Sequence, residues 1–219
     1  MQYTVFQGRA GDHNDLAIPG ALAIGQALQH RTGIAPAIIG TPEPALNLGW
    51  RAELDAALPA LRQVQARFNT IMAEGHISVA ATSRCAVSLA TLPAVVRHHR
   101  DACIVWFDSH ADLNTPEAST TDYLGGLAFA GPAGLWDSGL GAGLDLRQIV
   151  LVGQRDLDPY EVALIDRHRI PHVRPGASLL NNLRTAIAGR PVYVHLDCDV
   201  LNPGIVPTDY AHDGGLSLS

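Results

Sequence analysis

"ACIVWFDSHAD", residues 102–112, joins an unbroken apolar run to three ionisable side chains at every second position, Asp108, His110 and Asp112. The run has the Val, Ile and aromatic content of a strand and no polar face. It predicts a strand covered on both sides, as in a parallel sheet. The three ionisable residues pose an electrostatic problem. Two carboxylates pointing the same way repel each other, and burial makes each ionised form costlier still. A bound cation is the simplest compensation.

A second stretch has the same form. "PVYVHLDCDVLNPG", residues 191–204, ends an apolar run in Asp197 and Asp199. Cys198 between them faces the other way while the chain stays extended. Elsewhere "YTVFQG" (3–8), "APAIIG" (35–40), "ISVAAT" (77–82), "QIVLVG" (148–153) and "IPHV" (170–173) also predict strands. Helical patterns fill 18–32, 51–74, 85–99, 159–168 and 178–188, with Pro59 as a kink and Gly75 as a stop for the longest of them. Repeated β-then-α order predicts an α/β fold, three layers deep, with a mostly parallel sheet between helix layers. Ligands in such sheets sit beyond the carboxyl ends of the strands, so both acidic motifs belong on one rim. The Gly-rich segment 124–145 lacks phosphate-loop spacing and reads as a long loop with one short helix near that rim.

Bulk composition narrows the function classes. With 219 residues the chain supports one sizeable core, a single domain over 1–219. A hydrophobic share of 47% and a charged share of 16% are globular rather than disordered. Fifteen Lys and Arg against 21 Asp and Glu leave a formal charge of −6. "VRHHR" (96–100) reads as a solvated helix face, and no basic stripe emerges, which argues against nucleic acid as a partner. No run reaches the roughly 18–20 apolar residues of a membrane helix. The start, "MQYTVFQGRAGDHND", lacks the basic-then-apolar order of a signal peptide. Cys85, Cys103 and Cys198 form no CxxC pair and are odd in number, which predicts a reducing, cytoplasmic location.

Taken as a set, Asp108, His110, Asp112, Asp197 and Asp199 are hard ligands suited to Mn²⁺ or a similar divalent ion. Four carboxylates neutralise two such ions, and a pair about 3.5–4 Å apart activates water for hydrolysis.

These motifs resemble the arginase, or ureohydrolase, superfamily. Its "DxHxD" reads here as "DSHAD", and its "DxDxxDP" as "DCDVLNP", with Asn202 where Asp is usual. "LNTPE" (113–117), "VGQRDLDPYE" (152–161) and "DGGLS" (213–217) extend the likeness over most of the chain. The resemblance implies an arginase-like fold, two Mn²⁺ ions and a small guanidino substrate. Asp108 and Asp197 would bridge the ions, Asp112 would bind the first and accept a proton, and His110 and Asp199 would bind the second. Asn114, Ser119 and Thr121 would hold the amino-acid end of the substrate, and Asp158 its amino group. A homo-oligomer is also common in that family.

Three departures stand out. "TSRC" (82–85) replaces the family's "GGDH", so Cys85 stands where a further His would bind the first ion. It would ligate as a thiolate or serve as a small buried hydrophobe, and both readings stay open; His76 lies at the opposite end of its strand. Gly125 replaces an acid–base His. Together these two resemble the branch that cleaves N-hydroxy-L-arginine to hydroxyurea and ornithine in cycloserine-type antibiotic biosynthesis. Third, the chain stops after "DGGLSLS", where the family continues through a helix and one more strand that carries a glutamate. The missing strand predicts an unfilled slot beside the 191–197 strand, with free backbone donors and acceptors. Two alternatives to a binuclear amidinohydrolase stay open: a one-zinc amide-cleaving deacetylase, and a degenerate, non-catalytic metal-binding relative or fragment.

Overall fold

The computed structural model describes residues 1–218. Seven strands and five α-helices alternate: β1 (Gln2–Phe6), α1 (Ala17–Thr32), β2 (Ala37–Ile39), α2 (Trp50–Ala73), β3 (Ser78–Ala81), α3 (Ser88–His98), β4 (Cys103–Phe107), β5 (Ile149–Val152), α4 (Pro159–His168), β6 (His172–Val173), α5 (Leu179–Ile187) and β7 (Val192–Leu196). Every strand pairing is parallel. The α/β expectation holds, with one refinement: the strands form two sheets, ordered β2-β1-β3 and β6-β5-β4-β7.

The break falls between β3 and β7, where the sequence predicts a slot. Among the described residues each of these strands pairs on one side only. The effect shows on β7. Its apolar run predicts burial on both faces, yet Val192, Val194 and Leu196 are exposed, Leu196 to 63%. Tyr193 and His195, on the alternate face, turn inward toward Thr91 and Trp106. A neighbouring strand and a covering layer, not the strand's own composition, decide burial.

Helix α3 joins the two halves. Every residue from Ser88 to Val96 is buried. Leu89, Ala90 and Ala94 pack with Leu54, Leu61, Val64 and Phe68 of α2, while Leu92, Val95 and Val96 pack with Ile104, Trp106 and Phe129. The predicted helix over 85–99 begins as a 3₁₀ turn, Cys85–Val87, before α3 proper, and Gly75 ends α2 in the left-handed conformation. The Gly-rich segment folds as an ordered loop with one 3₁₀ turn, Gly125–Leu127, and its Leu124, Leu127 and Phe129 are fully buried.

Helix α1 lies close against β1. A Cβ at Gly25 would collide with Val5 Cγ2, whereas one at Gly20, in the same helix, meets nothing within 4 Å. Gly25→Ala is therefore expected to destabilise the fold by about 1–3 kcal/mol through overpacking, despite the better helix propensity of alanine. Gly20→Ala is expected to stabilise it by about 0.5–1 kcal/mol. Urea unfolding of both variants checks the opposite signs.

Candidate metal centre

The β4–β7 register aligns Phe107 with Leu196, so the next residues, Asp108 and Asp197, leave the sheet side by side. Backbone pairing continues one step past the strands: the Asp108 N–H donates to Val152 O (3.2 Å) and the Asp197 N–H to Phe107 O (2.8 Å). Both acids are thus held by main chain at the carboxyl rim. After each, the chain tightens around the acid. Asp108 Oδ1 accepts from the His110 N–H at 2.7 Å, and Asp197 Oδ1 from the Asp199 N–H at 3.0 Å. Asp199 Oδ1 in turn accepts from the Ser109 N–H at 3.0 Å, tying one motif to the other.

Arg155 holds the second motif from behind. Its guanidinium donates to the carbonyls of Gly153, Asp199, Val200, Leu201 and His212. Glu161 does comparable work under the first: its carboxylate accepts from the Leu113 and Asp158 N–H groups, fixing the start of α4 beside the 113–114 backbone.

Two ligand sets share Asp108. His110 Nδ1 lies 3.1 Å from Asp199 Oδ2 and 3.3 Å from Asp108 Oδ1. On the other side, Cys85 Sγ lies 3.2 Å from Asp197 Oδ2 and 3.8 Å from Asp108 Oδ2. In each set the donor atoms fall within 4.8 Å of one another, and the second set also includes His195. Asp112 stands outside both. It is buried in the left-handed conformation, with Oδ2 lacking any hydrogen-bond partner. Orphaned, buried acceptors beside crowded carboxylates fit a cation and fit poorly with a purely structural role.

The remaining predicted residues form two pairs. Asn114 Nδ2 donates to Asp158 Oδ2 at 2.6 Å, while Asn114 Oδ1 is buried without a partner. Ser119 and Thr121 sit on the loop with their hydroxyls 3.5 Å apart. His76 takes no part in either ligand set and lies exposed beside Glu74. His195 and the His212–Asp156 pair (3.2 Å), which flanks His110 Nε2, were not legible as site residues. For His195 a signal existed: "HLDCD" repeats the every-second-residue spacing of "DSHAD".

The arginase family profile matches residues 12–219. An N(omega)-hydroxy-L-arginine amidinohydrolase from Streptomyces lavendulae is 40% identical over 212 residues, covering 97% of this chain and 78% of that protein. The chain belongs to the arginase family. A Schizosaccharomyces pombe arginase is 28% identical over 160 residues, or 60% of this chain and 46% of its own length. Arginase from Bacillus subtilis shares the fold, with a TM-score of 0.79 at 20% identity over 99% of this chain and 81% of that one.

At Gly125 a side chain would meet a neighbour already in place. A Cβ at Gly125 would run into the ring of Tyr123, which packs tilted against His13 at 4.3 Å between centroids. The space beside this position is already filled. Arg84 of "TSRC" likewise has its own partners, Asp12 at 3.2 Å and Asp209 at 2.7 Å.

The electrostatics of this arginase-family centre arise from crowding. Burial, reinforced by Asp197 and Asp199 against the opposing bonds from His110, pushes Asp108 up to about 8. Burial likewise raises Cys85, Asp112 and Asp197. For His110, burial acts downward but the bonds to Asp108 and Asp199 prevail and raise it to about 11. For Asp199, burial acts upward but the same imidazole and the Ser109 N–H hold it low.

A folded-state value near 8 against an ordinary 3.8 means that, without a cation, the contribution of Asp108 to stability is intact only at low pH. It is lost as pH rises through about 8. In the presence of a chelator, Asp108→Asn is expected to raise the melting temperature by about 2–4 °C at pH 8.5, with the gain fading toward pH 4.5. In Mn²⁺ the same variant is expected to melt lower than the parent. Differential scanning calorimetry in chelator and in Mn²⁺ checks both signs.

Proposed function

We propose that this arginase-family amidinohydrolase cleaves the guanidino group of an N-hydroxy-L-arginine-type substrate with the help of two Mn²⁺ ions, releasing hydroxyurea. One observation carries the substrate preference. Tyr123 occupies the space a side chain at Gly125 would need, so the centre has no acid–base histidine there, and a hydroxyguanidine brings an ionisable hydroxyl of its own. The 40% identity to a protein named for that substrate supports the same reading.

Asp108 would be shared between two positions, His110 and Asp199 completing one and Cys85 and Asp197 serving the other, with the Asp112 charge close to Cys85. Bound there, a divalent pair supplies an activated water at neutral pH. The protein's own contributions are positional. Backbone N–H groups of Ser109, His110 and Asp199 each bond one carboxylate oxygen of Asp199, Asp108 and Asp197, which fixes these side chains in place where they would hold the ions. Asp112, with a free buried oxygen, would take up a proton during the reaction. Asn114, orientated by its 2.6 Å bond to Asp158, would present its orphaned Oδ1 to an ammonium group of the substrate's amino-acid end. Ser119 and Thr121 would accept or donate at the carboxylate of that same end.

Steady-state assays of the Mn²⁺-loaded chain test the reading. The expected kcat/KM for N-hydroxy-L-arginine exceeds that for L-arginine by at least tenfold. Faster turnover of arginine would overturn the substrate assignment, and two bound ions with neither substrate turned over would favour the non-catalytic alternative. Asp158→Asn is expected to raise KM by about tenfold or more with a smaller change in kcat, since the amino-acid end stays bound throughout the reaction.

A further inference from the structure

We propose that His195 is a ligand of the first ion, so that this position is built by Cys85, Asp108, His195 and Asp197 and favours a softer metal than its neighbour. The inference rests on the two-ion reading above and deepens it.

His195 lies two residues before Asp197 on β7 and shares its inward face, while Val194 and Leu196 point out. Its ring lies flat on Trp106, with centroids 3.5 Å apart and planes 8° from parallel, and Trp106 rests in turn on Phe129 at 4.4 Å. The imidazole is therefore held in one orientation before any ion arrives. That orientation places Nε2 3.9 Å from Asp108 Oδ2. The atom is buried and has no hydrogen-bond partner.

A nitrogen so placed needs a reason. Stacking on Trp106 explains why a ring is there, but a phenyl ring would stack as well and would bury no orphaned polar atom. Ligation explains the nitrogen. Ligands about 2.0–2.3 Å from an ion stand about 3.3–3.8 Å apart at the corners of a tetrahedron. The observed separations are 3.2 Å for Cys85 Sγ to Asp197, 3.8 Å for Cys85 Sγ to Asp108 and 3.9 Å for His195 to Asp108.

The two positions then differ in chemistry. The Asp108–His110–Asp199 side offers oxygen and one nitrogen, which suits Mn²⁺. The Cys85 side offers sulfur, nitrogen and two oxygens, a set that suits Zn²⁺, Co²⁺ or Fe²⁺. Binding there transfers the Cys85 thiol proton to solvent and leaves a thiolate on the metal.

Co²⁺ is the probe, because a thiolate–cobalt bond adds a near-ultraviolet charge-transfer band that oxygen and nitrogen ligands do not. The full chain would be titrated with Co²⁺ alone, with bound metal counted by mass spectrometry, as the parent and as His195→Phe, Cys85→Ser and His172→Phe. His195→Phe keeps a ring on Trp106 and removes only the nitrogens; its melting curve in chelator reports whether it folds. His172, on β6 and in neither ligand set, is the control. Expected are two ions and a thiolate band in the parent and in His172→Phe, and loss of that band in Cys85→Ser. Folded His195→Phe should bind the Cys85-side ion at least tenfold more weakly, with an altered band, and should keep the other ion. Unchanged affinity and spectrum in folded His195→Phe would overturn the assignment of His195 while leaving the two-ion reading intact. A parent chain without the thiolate band, binding one ion or none, would overturn both. Should His195→Phe fail to fold, His195→Gln would be read by the same criteria.

Discussion

The parallel pairing of β4 with β7 governs everything at the rim. It is an ordinary ladder of main-chain hydrogen bonds, and its register alone sets Asp108 beside Asp197. Once those two are adjacent, His110 and Asp199 gather on one side, and His195 with Cys85, from the turn after β3, on the other. A slip of one residue would turn the acids of one strand to the opposite face and dissolve the arrangement. The cost of so much buried charge is carried by the apolar packing of α3, Trp106 and Phe129 directly beneath. The centre and its support are thus separate: main chain positions the ligands, and hydrophobic burial holds the main chain.

Much of this was legible in the sequence because its signals are local. All seven strands and five helices were predicted within a few residues, since apolar runs and helical periodicity are properties of short windows. The two acidic motifs were legible for the same reason. What escaped depends on residues distant in sequence. The outward face of β7 carries valines that a covered strand would also carry, so composition could not tell exposed from buried. Gly125 could be seen as a departure, but the Tyr123 ring that fills the space beside it emerges only after folding. Asp112 follows the same spacing, yet its donor atoms join neither ligand set, and its positive φ is a backbone property that spacing does not reveal.

His195 illustrates a bias in reading motifs. A histidine inside an apolar strand is easily taken as filler, and attention goes to the position where a histidine is missing. The fold removes the distinction between the two, because Cys85 and His195 reach the same point from opposite sides of the break between β3 and β7. Substitutions at metal centres are better judged by the point in space where donors converge than by position in the chain.

The Arg155 clamp bears on the order of events in folding. Its bonds to Asp199 O and His212 O join residues 44 and 57 positions apart, and Cys85 meets Asp197 across 112. In polymer terms these are late cross-links: each closes a long loop whose entropy must be surrendered before the contact repays it. The helices can form from near neighbours, whereas the rim exists only when the last quarter of the chain has docked. Ions that need the finished rim cannot guide its assembly. If bound, they would act as a latch, leaving the rate of folding unchanged and slowing the rate at which the docked segment lets go.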